Sequence, residues 1–312
     1  MLVFLFVLGL LLLLIFVSGA YVFLTACVRK KELPWLVESE IKKTSYAKYY
    51  ECMKDADKWL CDNGARDVYI RSLDGLKLRA RWVPAENPVG TVLFAHGYHS
   101  TPILDFGVAF PLYNEMGFNI LVPDQRSHGK SQGQFITFGV KECSDMQLWI
   151  AYHNSNFGKF PILLSGMSMG ASTVMYMADE PLPDNVKGII ADCGFTSPKN
   201  IIASVFRKVT HLPAGPSLFV TDLCARLFAG FSLSEKDTRK TLSKNQLPIL
   251  IVHGQKDGFV PCYMSEEAYA ACTGPKNLLL VKDADHGVSF LVEPDKYSKA
   301  IDEIIDQILN SK

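Results

Sequence analysis

Several common functional signatures are missing from this chain. No C-x-x-C pair, Walker A loop, H-E-x-x-H or G-x-G-x-x-G segment occurs. The cofactor- and metal-based chemistries those motifs carry therefore have no local signature, and none is expected. Lys plus Arg and Asp plus Glu are equal at 32 each, and no basic stripe alternates with aromatics, which argues against a nucleic-acid partner. The eight cysteines are scattered over 312 residues and read as buried or free thiols, not as a disulfide framework. No N-x-S/T sequon is present. With 48% hydrophobic residues, one large or two small domains have enough core to fold unaided.

Charge is also missing from one place in particular. Residues 1–28, MLVFLFVLGLLLLLIFVSGAYVFLTACV, carry no ionisable acid or base among Asp, Glu, Lys and Arg. As a helix the run is ~42 Å long, more than the ~30 Å hydrocarbon core of a bilayer. No Lys or Arg precedes it and Arg29-Lys30-Lys31 follows, an asymmetry that predicts an uncleaved anchor with the following domain in the cytoplasm. Two alternatives are a secretory signal peptide and a lipoprotein site at LTAC, with Cys27 lipidated. Residues 29–64 are expected to form a linker and an amphipathic helix. Over 33–63, Tyr46, Tyr49, Tyr50, Met53, Ala56 and Leu60 recur at helical spacing and Asn63-Gly64 offers a stop.

From residue 65 to 312 the rhythm is that of one domain. The runs 67–72 and 76–84, joined by Asp74-Gly75, predict an antiparallel hairpin. Continuous apolar runs follow at 90–97, 118–124, 160–166, 186–192, 247–254 and 277–283. Between and after them lie helical patterns at 105–116, 139–156, 168–179, 262–272 and 294–310. The alternation predicts an α/β fold, a mostly parallel doubly wound sheet with helices on both faces. The long connection 193–246 is expected to fold as a helical cap over the carboxyl ends of the strands, where ligands bind in such sheets.

Polar residues just beyond those strand ends define the candidate site. GMSMG places Ser168 after a strand and before a helix, with Gly166 and Gly170 permitting a tight turn. Alone, G-x-S-x-G arises by chance in roughly one chain in ten of this length. A serine hydroxyl needs a base, and His286 lies in the loop after the last strand. An acid must orient that base. Asp257, in GQKDGFVP, is the leading candidate, Asp192 the second, and Asp283 and Asp285 lie nearer in sequence. Backbone N–H groups of Met169 and of Tyr98, in HGYHS, are the candidate oxyanion donors. His96 reads as a loop-holding residue, the Asp124, Arg126, His128, Gly129, Ser131 segment as a structural turn, and His99, His153, His211 and His253 as structural or surface side chains.

HGYHS, DQRSHGKS, GMSMG, GQKDGFVP and DHG occur in the order and spacing of the α/β-hydrolase superfamily. The chain resembles its membrane-anchored bacterial members with a serine-aminopeptidase-like (S33-type) domain, over roughly residues 65–310. The resemblance implies Ser168 as nucleophile, Asp257 as acid, His286 as base, Tyr98 and Met169 as oxyanion donors, and 193–246 as cap. It implies no cofactor and no metal. It leaves open an esterase or thioesterase acting on an acyl substrate, an aminopeptidase holding a peptide's amino group through Asp222, Glu235 or Asp237, and a silent binding protein. The membrane, reached through the N-terminal helix, is the one macroscopic partner expected. The sequence does not fix an oligomeric state.

Overall fold

The computed structural model describes residues 1–30, 41, 46–53 and 55–310. Its first element is helix α1, Leu2–Ala26. Among the described residues it is the one helix long and apolar enough to cross a membrane. Short helices α2 (Tyr50–Met53) and α3 (Ala56–Asp62) precede the sheet. The strands are β1 (Arg66–Arg71), β2 (Lys77–Val83), β3 (Gly90–Ala95), β4 (Phe118–Pro123), β5 (Ile162–Met167), β6 (Val186–Asp192), β7 (Ile249–Gly254) and β8 (Lys276–Val281). They form one eight-stranded sheet in the order β1-β2-β4-β3-β5-β6-β7-β8. β1 pairs antiparallel with β2, and β2 antiparallel with β4. From β4 through β3 to β8 all pairs are parallel.

The helices between strands are α4 (Pro102–Phe106), α5 (Phe110–Glu115), α6 (Val140–Asn156) and α7 (Met169–Tyr176). After β6 come α8 (Pro198–Thr210), α9 (Gly215–Cys224) with a π turn at Ala225–Ala229, and α10 (Thr238–Leu242). The chain closes with α11 (Tyr263–Ala271), α12 (Ser289–Val292) and α13 (Pro294–Asn310). Alternate strand residues feed two cores because side chains on a strand point to opposite faces. Val92, Phe94, Ile120 and Val252 face α5 and α13, where Phe110, Ile301 and Ile304 are buried. Leu93, Leu121, Leu164 and Ile251 face α6 and α7, against Trp149, Val174 and Met175.

The helix expected over 33–63 is not continuous where it is described. Residues 31–40, 42–45 and 54, including Lys31 of the basic run, lie outside the described residues. A short 3-10 turn at Ala47–Tyr49, α2 and α3 occupy the rest. A straight helix would spread Tyr46 and Leu60 ~21 Å apart. Broken into short pieces, the segment brings Tyr46, Tyr49, Ala56 and Leu60 to one core cluster. It ends at Gly64, whose φ of +72° closes the turn. The single helix expected at 105–116 is likewise two, separated near Gly107, where a Cβ would run into Ala56.

A third core lies beyond the strand ends, and α1 is part of it. Phe23 and Cys27 are buried there with Phe138, Phe195, Phe206 and Leu218. Gly19 sits so close to α9 that a Cβ on it would come within 2.5 Å of Ser217 O and of Val220 Cβ. Small residues at Ser18, Gly19 and Ala20 permit that approach, as they do between helices in membranes. Ser217 Oγ and Ser18 Oγ are 3.0 Å apart, and Thr221 Oγ1 donates to Gly19 O at 3.0 Å. Val28 bridges to Phe135, and the Arg29 guanidinium donates to Ser131 O and Gly129 O, both at 2.8 Å. The final turns of α1 are thus built into the folded domain. Within 193–246, α8, α9 and the π turn pack into this third core. By contrast, α10 belongs to the body, with Thr241 Oγ1 donating to Met175 O.

Candidate active site

The turn from β5 into α7 is tight enough to force its composition. Ser168 has φ 54° and ψ −112°, a strained conformation for a residue with a side chain. A Cβ on Gly166 would collide with the backbone of Gly170, and one on Gly170 with Ala95 O. Both elbow glycines are therefore required by close packing. Ser168 N–H donates to Asp192 O at 2.8 Å, tying the turn to β6.

The loops after β7 and β8 bring two further groups to this serine. Ser168 Oγ lies 3.0 Å from His286 Nε2, and His286 Nδ1 lies 2.7 Å from Asp257 Oδ2. Asp257 Oδ1 accepts the Phe259 and Val260 N–H groups, each at 2.8 Å. Its side chain is fully covered. Burial opposes its ionisation, but the hydrogen bonds from His253 and His286 outweigh burial and hold the carboxyl well below its usual range.

The other candidate acids are engaged elsewhere. Asp283 pairs with Lys256 at 2.6 Å. Asp285 Oδ1 accepts from Gly258 N and from His286 N, joining the two loops. Asp192 is buried beneath the elbow, where Ser289 Oγ lies 3.4 Å from Oδ1. Burial raises it to about 6, only partly offset by His253 and Tyr297.

Two further residues support the site: His253, read from the sequence as a structural or surface side chain, and Asp105, which the sequence did not single out. His253 is fully buried, with Nε2 3.1 Å from Asp257 Oδ2 and 3.0 Å from Val260 O, and Nδ1 2.6 Å from Ser265 Oγ. It braces the carboxylate from behind, a structural placement with a direct line to the site. Its position four residues before Asp257 was the available signal. Asp105 holds the HGYHS loop, accepting from Gly97 N at 2.6 Å and Ser100 Oγ at 2.5 Å. Burial pushes it up to about 6 against those two bonds. His99 N donates to His128 Nε2, and Ser100 N to Gly97 O. Of the four N–H groups from Gly97 to Ser100, that of Tyr98 has no acceptor among the described residues.

The remaining predicted positions fall into the scaffold. His96 Nε2 accepts from Gln125 N at 3.0 Å, and its Nδ1 lies 2.9 Å from Gly97 O. Arg126 is buried between Asp145 and Asp74, and Asp124 pairs with Arg79. Cys193, Asp257 and His286 place possible metal-donor atoms within 4.8 Å of one another. The donor set is poor for a metal. Asp257 and His286 already bond each other, and burial pushes the Cys193 thiol far from thiolate.

Above Ser168 opens a cavity of about 300 Å³. Tyr98, Phe138, Phe195 and Phe259 line it near the serine, α8 supplies Ile202 and Phe206, and α1 supplies Tyr21, Val22, Thr25 and Ala26. Among the described residues no charged side chain lines it. The Tyr98 ring stacks on Phe138 at 5.2 Å and its hydroxyl donates to Thr25 O at 3.3 Å, linking α1 to the HGYHS loop.

The sheet order, the strained serine elbow and the loop placement define an α/β-hydrolase fold, and comparison with known proteins agrees. Residues 86–215 match the family described as serine aminopeptidase, S33. The chain is 27% identical over 243 residues to the protein YqkD of Bacillus subtilis (strain 168), covering 78% of this chain and 79% of that one. It is 25% identical over 205 residues to the membrane protein YNL320W of Saccharomyces cerevisiae, covering 64% and 65%. The esterase Pf2001 of Pyrococcus furiosus superposes with a TM-score of 0.64 at 23% identity, over 80% of this chain and 94% of that one. The chain has the α/β-hydrolase fold, and its match to the serine aminopeptidase, S33 family over residues 86–215 supports a hydrolase.

Proposed function

We propose that this hydrolase cleaves carboxylic esters, thioesters included, of hydrophobic acyl groups through an acyl-enzyme on Ser168. The observation that carries the reading is the chain Ser168–His286–Asp257, at 3.0 and 2.7 Å, opening onto an uncharged apolar cavity. Ser168 Oγ attacks the acyl carbonyl carbon while His286 Nε2 takes its proton. The Tyr98 and Met169 N–H groups stabilise the oxyanion. The intermediate collapses, the alcohol or thiol leaves with the proton from His286, and water repeats the sequence to release the acid. Asp257 stays ionised and holds the imidazole with Nδ1–H toward it.

A peptidase reading has the family description in its favour. It needs an acid near the cavity for a substrate ammonium. Asp222 pairs with Arg226, Glu235 accepts from Ser232 N, and Asp237 pairs with Arg239. None of them lines the cavity. We place the catalytic domain on the cytoplasmic side of a membrane crossed by α1. Lipidation of Cys27 fits poorly, because that residue is fully buried.

Hydrolysis of acyl esters of graded length, beside aminoacyl amides, tests the substrate class. The expected result is Ser168-dependent ester cleavage favouring longer chains. Faster cleavage of the amides would overturn it. Protease protection of a C-terminal tag in sealed vesicles tests the topology, and digestion from the outer face contradicts it.

A further inference from the structure

The exposure of α1 sets how deeply the domain sits in a bilayer. From Leu2 to Val17 every residue except Ile15 is exposed, a stretch of 16 residues or ~24 Å. The hydrocarbon core is ~30 Å thick. Just beyond that stretch, Ser18 and Gly19 pack on α9 through Ser217, Val220 and Thr221. A bilayer that covers the exposed apolar length of α1 up to Val17 therefore reaches the level of α9. The outer surface at that level exposes Val209, Leu212, Phe219, Leu223, Leu227 and Phe228, flanked by the exposed Arg207, Lys208 and His211 at the end of α8, groups suited to lipid headgroups. Phe228 continues directly from α1, its ring 6.0 Å from Phe23. Arg226, on the same stretch, is turned to Asp222 and Ser232. Burial of a helical face to ~5–10 Å is ordinary for interfacial helices.

The cavity reaches this same surface. Ser18, Tyr21 and Val209 line it at the bilayer level, with Tyr21 and Val209 exposed, and Ser168 lines it at the strand ends. Along α1, Ser18 to Ala26 covers ~12 Å of wall. We propose that α9, the α8–α9 loop and the π turn are seated in the bilayer beside α1, and that the cavity fills laterally with the acyl chain of a membrane-resident ester lipid. α1 is then one wall of the substrate site as well as the anchor. The proposal rests on the serine-hydrolase reading for its chemistry, but not for the seating.

The test uses the full chain in phosphatidylcholine vesicles with two substrates, a long-chain acyl ester dissolved in the bilayer and a water-soluble butyryl ester. The variant Leu212→Glu/Phe219→Glu/Leu227→Glu alters only exposed side chains outside the catalytic machinery. The expected result is at least a tenfold loss of kcat/KM on the bilayer ester, with the soluble ester within twofold. An unchanged bilayer rate overturns the proposal. Because the triple variant risks misfolding, Phe219→Trp in vesicles of brominated phosphatidylcholine gives an independent readout. Added emission that the bromolipid quenches is expected. Unquenched emission, including the case of a stable dimer with Phe219 covered by a second copy, overturns the seating. Full activity of Ser168→Ala on the soluble ester would sink the catalytic reading and leave the quenching result standing.

Discussion

Replacing Asp257 by Asn separates orientation from mere presence of the proposed base. The Asn carbonyl can keep the two backbone bonds that Oδ1 now accepts from Phe259 and Val260. Its NH₂ then faces two imidazole nitrogens, at 2.7 Å in His286 and 3.1 Å in His253. His253 Nε2 also has Val260 O at 3.0 Å, so its N–H keeps an acceptor. His286 Nδ1 must become an acceptor itself. That moves the proton to Nε2, the atom facing Ser168, and removes the base. For a triad, the wrong tautomer costs about 10⁴ in kcat, or ~5.5 kcal/mol at the transition state. KM for a short ester should change little, because the cavity is untouched. Steady-state kinetics on a soluble ester, with a melting curve to confirm folding, is the assay. Asp192→Asn is the control and should retain activity. A kcat within tenfold of wild type in the Asp257 variant, or a 10⁴-fold loss in the Asp192 variant, would refute the assignment.

Further expectations concern stability and specificity. Asp192 is raised from its ordinary 3.8 to about 6, so the folded state holds that proton better than the unfolded chain. Its contribution is complete below pH ~4 and lost as pH rises through about 6, a change of up to ~3 kcal/mol. Asp192→Asn should therefore flatten the fall in stability between pH 4 and 8 in denaturant titrations; an identical slope in the variant would count against the buried carboxyl. Asp257 runs the other way. Its depressed carboxyl stabilises the fold above the unfolded value of about 3.8 and loses that contribution at lower pH, so Asp257→Asn should lessen acid unfolding below pH 4. Gly19→Leu should separate α1 from α9, lowering kcat/KM for long acyl esters at least tenfold while vesicle flotation still recovers the protein with the membrane. Ile202→Trp should narrow the cavity, cutting long-chain turnover and sparing acetyl esters; uniform loss across chain lengths would place Ile202 outside the acyl path.

The parts legible in the sequence are those written in local pattern. Buried parallel strands appear as unbroken apolar runs, and the elbow shows as a serine between glycines at a strand–helix switch. Asp257 and His286 could be proposed because each falls in a loop at a strand's carboxyl end. What escaped depends on contacts between distant segments. The Ser18-Gly19-Ala20 step reads as composition until Ser217 and Val220, some 200 residues later, pack on it. The N-terminal helix therefore reads from sequence as a separate module, and its place in the cavity wall emerges only from the fold. Asp105 is an ordinary polar residue until the loop it holds is in place, and the structural reading of His253 carries no hint of its contact with Asp257. The helix read over 33–63 failed for a related reason. Helical spacing describes one face of a straight rod, whereas the segment bends to bring Tyr46 and Leu60 to one core.

The central claim is that Ser168 is the nucleophile of a working triad. It is tested most directly by labelling the full chain with a fluorophosphonate probe, wild type beside Ser168→Ala. The account predicts covalent modification of the wild type mapping to Ser168 by peptide mass, with none in the variant. Equal labelling of both proteins, or no labelling of a folded wild type, would contradict it.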